Sequence, residues 1–266
     1  MARRRADAAL AEAGHFASRE QAKAAILAGR VKIGDAPVLK AGAEVSDDVV
    51  FTVEPAQEYV SRGGHKLAGA LDDFGIDVTG VHAVDVGAST GGFTDCLLQR
   101  GAAAVTALDV GYGQLAWKLR CDERVTVLER TNIRHVDGEL AGAPFDLAVI
   151  DVSFIGLAKV LPHVESVLAP EGEVVALVKP QFEAGKGRVG KKGVVRDPAV
   201  HADVLASVAA DAASVGFAVR GVTWSPITGP EGNIEFWMRL ARGGESIAVD
   251  YAALVSEAHA ALEGER

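Results

Sequence analysis

The sequence predicts an α/β protein: a doubly wound, mostly parallel, seven-stranded Rossmann-like sheet that follows a small N-terminal α+β domain. Three observations carry this. From residue 81 onward, short continuous apolar runs alternate with helical stretches, as strands buried on both faces of a parallel sheet require. Before residue 55 the elements are shorter, and the local charge opposes that of the whole chain. The 266 residues, 49% hydrophobic, are enough for one large core and one small one.

The elements follow in order. Arg5–Ala13 reads as a helix stopped by Gly14. Ser18 suits the N-cap of a second helix, Arg19–Ala28, with Gly29 as its C′ stop. Arg30–Gly34 and Val49–Val53 read as strands of a small hairpin-like sheet. Domain boundaries are expected at 1–54, a linker at 55–60, and 61–266. The seven strands of the second domain are expected at Val81–Val86, Ala103–Leu108, Val125–Leu128, Leu147–Ile150, Val174–Val178, Ala218–Trp224 and Ile234–Leu240. Helices are expected at Phe93–Gln99, Ala158–Leu168, Val200–Val215 and Tyr251–Leu262. Such sheets bind ligands at the carboxyl ends of their strands.

Composition removes several classes. No run approaches about 18 uncharged apolar residues, which excludes a membrane span. Asp7, Glu12 and His15 interrupt the basic start, so it is no secretory signal. Cys96 and Cys121 form no CxxC and suit neither a disulfide framework nor a zinc site. His15, His65, His135, His163 and His201 lack ligand spacing and read as surface or turn residues, so no metal is expected. A cytoplasmic protein is expected, its oligomeric state open with a monomer as the default. The net charge of −9 argues against a uniformly basic coat for nucleic acid. Residues 1–40, however, hold eight basic residues against four acidic ones, which points to local nucleic-acid contact.

The first large strand runs into Asp85-Val-Gly-Ala-Ser-Thr-Gly-Gly-Phe93. Gly87, Gly91 and Gly92 would let backbone N–H groups approach a ligand ahead of a helix N-terminus. The spacing departs from the G-x-G-x-x-G of dinucleotide sites. Asp109, at the tip of the second strand, can accept hydrogen bonds from both hydroxyls of a ribose. Asn132, beside Ile133 after the third strand, could read an adenine edge. Loop, acid and amide at three successive strand ends suit S-adenosylmethionine, which needs no pyrophosphate cradle. The cofactor set expected is Asp85, Gly87, Ala88, Ser89, Thr90, Gly91, Gly92, Phe93, Asp109, Asn132, Ile133 and Asp151.

Four ionisable residues stand at further strand ends or interrupt apolar runs: Lys66, Asp151, Lys179 and Glu235. Each has a plain structural explanation. Asp151 could cap a turn. Lys179 could snorkel to solvent, Glu235 could face water on an edge strand, and Lys66 could be an ordinary surface lysine. Together these explanations weaken, because charges that end buried strands are costly unless paired. Phe93, Trp224 and Trp237 read as core; Phe154 and Phe182, just past strand ends, are better candidates for stacking on a base.

Ser61-Arg-Gly-Gly-His-Lys-Leu67, the Asp85–Asp95 loop, Asp151-Val-Ser-Phe-Ile155, Leu177-Val-Lys-Pro-Gln-Phe-Glu183 and Gly232-Asn-Ile-Glu-Phe236 resemble the TlyA family of ribosomal-RNA 2′-O-methyltransferases, first labelled haemolysins. The resemblance implies an S4-like RNA-binding fold over residues 3–53 and an FtsJ-like methyltransferase domain with a Lys-Asp-Lys-Glu tetrad. By motif position the tetrad is Lys66, Asp151, Lys179 and Glu235. Lys179 would be the general base, oriented by Asp151; Glu235 would fix Lys66 or the substrate hydroxyl. The implied substrate is cytidine in 23S, and also 16S, ribosomal RNA, free or within a ribosomal subunit.

RNA contact is expected at Arg3, Arg4, Arg5, Arg19, Lys23 and Arg30, at Arg62, and at the acid-free loop bearing Lys186, Arg188, Lys191, Lys192 and Arg196. Two other readings compete. One is a non-catalytic RNA-binding protein with a vestigial cofactor site. The other is a pore-forming haemolysin, for which the sequence offers neither a spanning segment nor a strongly amphipathic basic helix.

Overall fold

Val84, Val149, Val174 and Val175 are fully buried, as strands covered on both faces must be. The structure, a computed structural model, describes residues 3–55, 57–136, 140–185 and 187–263. It divides into two compact units, one up to Glu58 and one from Tyr59 onward.

The N-terminal unit holds β1 (Arg3–Arg5), α1 (Ala6–Glu12), α2 (Arg19–Leu27), β2 (Val31–Ile33), β3 (Ala36–Pro37), β4 (Glu44–Ser46) and β5 (Phe51–Val53). The Ser18 hydroxyl caps α2 by accepting from the Gln21 N–H. β1 pairs antiparallel with β4, and β2 lies between β3 and β5. Ala6, Ala9, Leu10, Ala22, Ile26, Val31 and Phe51 form its core. The sequence reading starts its first helix at Arg5 and assigns no strand to β1, β3 or β4. These strands are two or three residues long, too short for an alternating pattern to register.

The second unit begins with α3 (Gly63–Phe74), a helix that the sequence reading does not assign. Gly63, Gly64 and Gly69 look like breakers, but two of them meet close neighbours. A Cβ at Gly64 would collide with Tyr59, and one at Gly69 would lie 2.8 Å from Pro226. Then come β6 (His82–Val86), α4 (Gly92–Gln99), β7 (Ala104–Leu108), α5 (Trp117–Arg120), β8 (Val125–Leu128), β9 (Phe145–Ile150), α6 (Leu161–Glu165), β10 (Leu168–Val178), α7 (Pro180–Glu183), α8 (Pro198–Ser214), β11 (Phe217–Trp224), β12 (Phe236–Arg242) and α9 (Tyr251–Ala261).

The sheet order is β11-β12-β10-β9-β6-β7-β8. β12 runs antiparallel between β10 and β11, and the five strands from β10 to β8 are parallel. The start of β12 therefore lies at the same edge as the carboxyl ends of the parallel strands. Two apolar layers sandwich the sheet, one built on Ile150, Leu161, Leu205 and Phe236, the other on Leu67, Leu97, Leu177 and Trp237.

Three expectations need correction. The helix expected at Ala158–Leu168 is a 3₁₀ turn, Leu157–Lys159, followed by the short α6, and Leu168 already opens β10. Pro162, which has no N–H to donate, starts a fresh helix at that point. Glu235 stands just before β12 rather than inside a strand, and β12 is not an edge strand. His201 is fully buried, its ring between His259 and the Val195 carbonyl, and is not a surface residue.

Candidate active site

Parallel pairing brings the ends of β6, β7, β9 and β10 to one edge, and each end carries a singled-out residue. Asp85 is buried in β6. Its Oδ2 accepts from the Thr94 N–H (3.0 Å) and hydroxyl (2.7 Å), while Oδ1 is buried without a hydrogen-bond partner. Burial pushes the Asp85 carboxyl up to about 7; the Thr94 bonds work against this and nearby Asp151 adds to it. Gly87 follows with φ +92°, and a Cβ there would collide with the Asp151 carbonyl oxygen. Only glycine lets the loop lie this close to the end of β9.

Gly91, also left-handed, caps α4. The N-termini of α3 and α4 touch, since a Cβ at Gly92 would lie 2.9 Å from the Gly64 nitrogen. Asp109 accepts from the Ser89 N–H (2.8 Å) and the Gly111 N–H (2.6 Å), which fixes its carboxylate at the tip of β7. Asn132 caps a short 3₁₀ turn through its Oδ1, which accepts from the Arg134 N–H at 3.1 Å.

Two cavities adjoin along this edge. One, of about 380 Å³, is lined by Gly87, Ala88, Ser89, Thr90, Gly92 and Phe93 together with Ser61, Arg62, Lys66 and Asp151. The other, of about 500 Å³, is lined by Asp109, Gln114, Asn132, Ile133, Ser153 and Phe154, and shares Gly87, Ser89 and Asp151 with the first. Of the expected cofactor residues, Asp85 and Gly91 lie behind the walls and the rest line one cavity or both.

The four ionisable residues meet at the same edge in two ion pairs. Lys66, in the first turns of α3, places Nζ 2.5 Å from the Glu235 carboxylate. Both are buried, Glu235 completely, which excludes a water-facing role. Lys179, just past β10, pairs with Asp151, just past β9, and its Nζ also donates to the Ser153 hydroxyl at 3.2 Å. Val178 pairs with Phe236 across the sheet, so Lys179 and Glu235 are the next residues outward on neighbouring strands. Gln181 Nε2 donates to the other Glu235 oxygen at 3.3 Å. A buried carboxylate and ammonium offset each other's desolvation only when joined in this way.

The cations expected to meet RNA divide. Arg3 pairs with Glu44, Arg4 with Glu12 and Asp47, and Arg5 and Arg19 with Asp7. Arg30 donates to the Glu54 carbonyl, and Lys23 is exposed on α2. Arg62 lines the first cavity and donates to the Thr228 carbonyl at 2.6 Å. Arg188 pairs with Asp203. Lys191, Lys192 and Arg196 are exposed and make no ion pair among the described residues. Lys186 lies outside the described residues.

The sequence reading missed Ser61, Ser153, Gln181 and the turn Thr228–Pro230, which lines the first cavity. Gln181 was visible only as a neighbour of Lys179. The turn's proximity comes from the return of β12 to the strand-end edge, which no local pattern signals.

Comparison with known proteins fits this arrangement. The FtsJ-like methyltransferase family model matches residues 59–242, and the S4 domain model matches residues 4–50. The chain is 52% identical over 244 residues to the 16S/23S rRNA (cytidine-2′-O)-methyltransferase TlyA of Mycobacterium tuberculosis, covering 90% of this chain and 91% of that one. The chain belongs to the TlyA family of FtsJ-like methyltransferases. It is also 40% identical to Hemolysin A of Brachyspira hyodysenteriae, over 84% of this chain and 93% of that protein. A solved structure described as a hemolysin from Streptococcus thermophilus matches all of this chain and 98% of its own, at 40% identity and a TM-score of 0.76. Among the described residues, no helix is long and apolar enough to cross a membrane.

Proposed function

We propose that this protein methylates the 2′-hydroxyl of cytidine in ribosomal RNA, with S-adenosylmethionine as donor and Lys66, Asp151, Lys179 and Glu235 as the reacting cluster. The observation that carries this reading is the meeting of a buried ion pair and a partly buried one at one strand-end edge, beside two cavities that share Asp151. TlyA relatives carry that activity in their names, and an S4 domain accompanies the FtsJ-like domain in this chain.

The residues present fit the donor. Gly87 lets the loop lie tight against the end of β9 along the cavity wall, the orphaned Asp85 oxygen lies behind that wall, and Asp109 stands fixed for ribose hydroxyls. Asn132 and Ile133 would face the adenine, and the Gly87–Phe93 loop would hold the amino-acid end. Bound S-adenosylmethionine supplies a methyl group already activated on a sulfonium.

The protein then needs to position a hydroxyl and remove one proton. Lys179 in its neutral form would take the 2′-hydroxyl proton as the O–CH3 bond forms and the S–CH3 bond breaks, the donor leaving as a neutral thioether. Asp151 and Ser153 aim its Nζ. Glu235, held by Gln181, fixes Lys66, whose ammonium orients the acceptor oxygen. The cationic loop at Lys191, Lys192 and Arg196 follows α7 in sequence and would take RNA phosphates.

Ribose-methylation mapping of ribosomal RNA from cells with and without the protein tests the reaction. Purified Lys179→Ala should bind donor yet transfer methyl at least about 10²-fold more slowly, as loss of a general base requires. Turnover near the wild-type rate would sink the assignment of Lys179.

A further inference from the structure

Glu183 closes α7 and is mostly buried, yet the chemistry described above does not use it. Its Oε1 accepts from the Leu157 N–H at 2.8 Å, at the start of the 3₁₀ turn Leu157–Lys159. A Cβ at Gly156 would lie 2.9 Å from Oε2, so the carboxylate is seated flush on the 156–157 backbone. Burial raises the Glu183 carboxyl above its ordinary range, and the bond from the Leu157 N–H works against this.

Two more contacts join the same segments. Asp151 pairs with Lys179, and the Phe154 and Phe182 rings pack at a tilt of 50° with centroids 4.9 Å apart. Residues 151–157 are thus laced to 179–183 at three points. Between the outer two, Phe154 holds φ +64° while 91% exposed. A bulky residue in the left-handed region is strained and persists only where its surroundings over-determine it. Burial does not do that for Phe154, so the anchors on either side must.

We infer that Glu183 is a positioning residue for methyl transfer: by pinning the Leu157 amide it holds the strained segment that carries Asp151, Ser153 and Phe154 beside Lys179. This rests on the four-residue reading above. Because Ser153 and Phe154 also line the larger cavity, the pin acts on donor affinity as well as on turnover.

The test compares Glu183→Ala, Glu183→Gln, Gly156→Ala and the double variant Gly156→Ala/Glu183→Ala in full-length protein, with S-adenosylhomocysteine titrated by calorimetry. Losing a charge-assisted hydrogen bond should slow Glu183→Ala about 10- to 100-fold and weaken the ligand several-fold. Glu183→Gln keeps an acceptor and should recover most of both. Gly156 has φ −80°, which suits alanine, so Gly156→Ala disturbs only the seat; it should slow turnover and add nothing in the double variant. Glu183→Gln as slow as Glu183→Ala, or additive effects in the double variant, would overturn the inference. If Glu183→Ala does not fold, Gly156→Ala at wild-type rate overturns it, and a slow Gly156→Ala beside a near-normal Glu183→Gln supports it. Lys179→Ala serves as the control: full activity there removes the four-residue reading and this inference with it, whereas an inactive Lys179→Ala isolates the Glu183 result.

Discussion

Asp7 in the N-terminal unit and Asp85 in the second are both buried, and they are treated in opposite ways. In the N-terminal unit Asp7 accepts from Arg5 (2.8 and 3.1 Å) and the Ala8 N–H (2.7 Å), with Arg19 nearby, and chiefly the Arg5 bond holds its carboxyl down at about 2. In the second unit Asp85 has one oxygen without a partner, and burial lifts it to about 7. The first unit spends its charges on itself: four arginines of the expected RNA surface are ion-paired internally. The second leaves polar groups unsatisfied or exposed, at the Asp85 oxygen behind the cavity wall and at Lys191, Lys192 and Arg196. Unmet electrostatic demand, rather than the count of charges, marks where a ligand belongs.

Asp85 gives the largest expected effect. Its folded pKa lies above the unfolded value, so the native state keeps a proton that the unfolded chain releases. Stability therefore falls as pH rises from about 4 to about 7 and is level above that. A shift from about 4 to about 7 corresponds to roughly 4 kcal/mol. Asp85→Asn should lack this slope and gain on the wild type by up to about that amount between pH 4 and pH 8, less the cost of seating the amide. Trp117, Trp224 and Trp237 all lie in the second unit, so tryptophan fluorescence in denaturant follows it. Parallel pH profiles for the two proteins would remove the contrast between the units.

Next come the cations. Replacing Lys191, Lys192 and Arg196 with alanine should weaken RNA binding about 10- to 100-fold and lower the slope of log Kd against log salt by up to about 3. The same treatment of Arg3, Arg4 and Arg19 should change the slope less, because those cations already have acidic partners. A larger effect from the N-terminal set, measured across 50–300 mM salt (about 5–15 Å of screening), would reverse the comparison.

Much of this was legible in the sequence for a physical reason. Strands buried on both faces must be continuously apolar, so Lys179 and Asp151 stood out as charges just past their ends. The glycine loop alone would also suit a tight strand-to-helix turn, and it became legible as a binding loop only together with Asp109 and Asn132 at the next two strand ends. What escaped depends on residues far apart in the chain. The Lys66–Glu235 contact, across 169 positions, was one of two roles the family resemblance offered Glu235, and what brings it about is β12 turning back beside β10. Helix α3 escaped because its glycines permit close packing as well as breaking helices, and only Tyr59 and Pro226 show which applies. The ion pairs of the basic N-terminal segment also escaped, because two of the acidic partners, Glu44 and Asp47, lie beyond residue 40 and fold back onto Arg3 and Arg4.

The smallest effect is expected at Asp7, with the opposite sign to Asp85. A folded pKa below the unfolded one means stability that is present above about pH 4 and lost as pH falls toward 2. The side chain is buried, but Arg5 and Arg19 are more than half exposed, so solvent screening reduces the benefit to about 1 kcal/mol. Asp7→Asn should therefore weaken the N-terminal unit by about that much at pH 7 and by nothing near pH 2. Amide exchange at Leu10 and Ile26, both in that unit's core, reads the change without interference from the second unit. Methyl transfer at saturating RNA should be unaffected, because Asp7 serves its own unit's arginines rather than the strand-end edge. A loss of turnover in Asp7→Asn that matched that of Lys179→Ala would mean that the two units do not divide their charges as the ion pairs indicate.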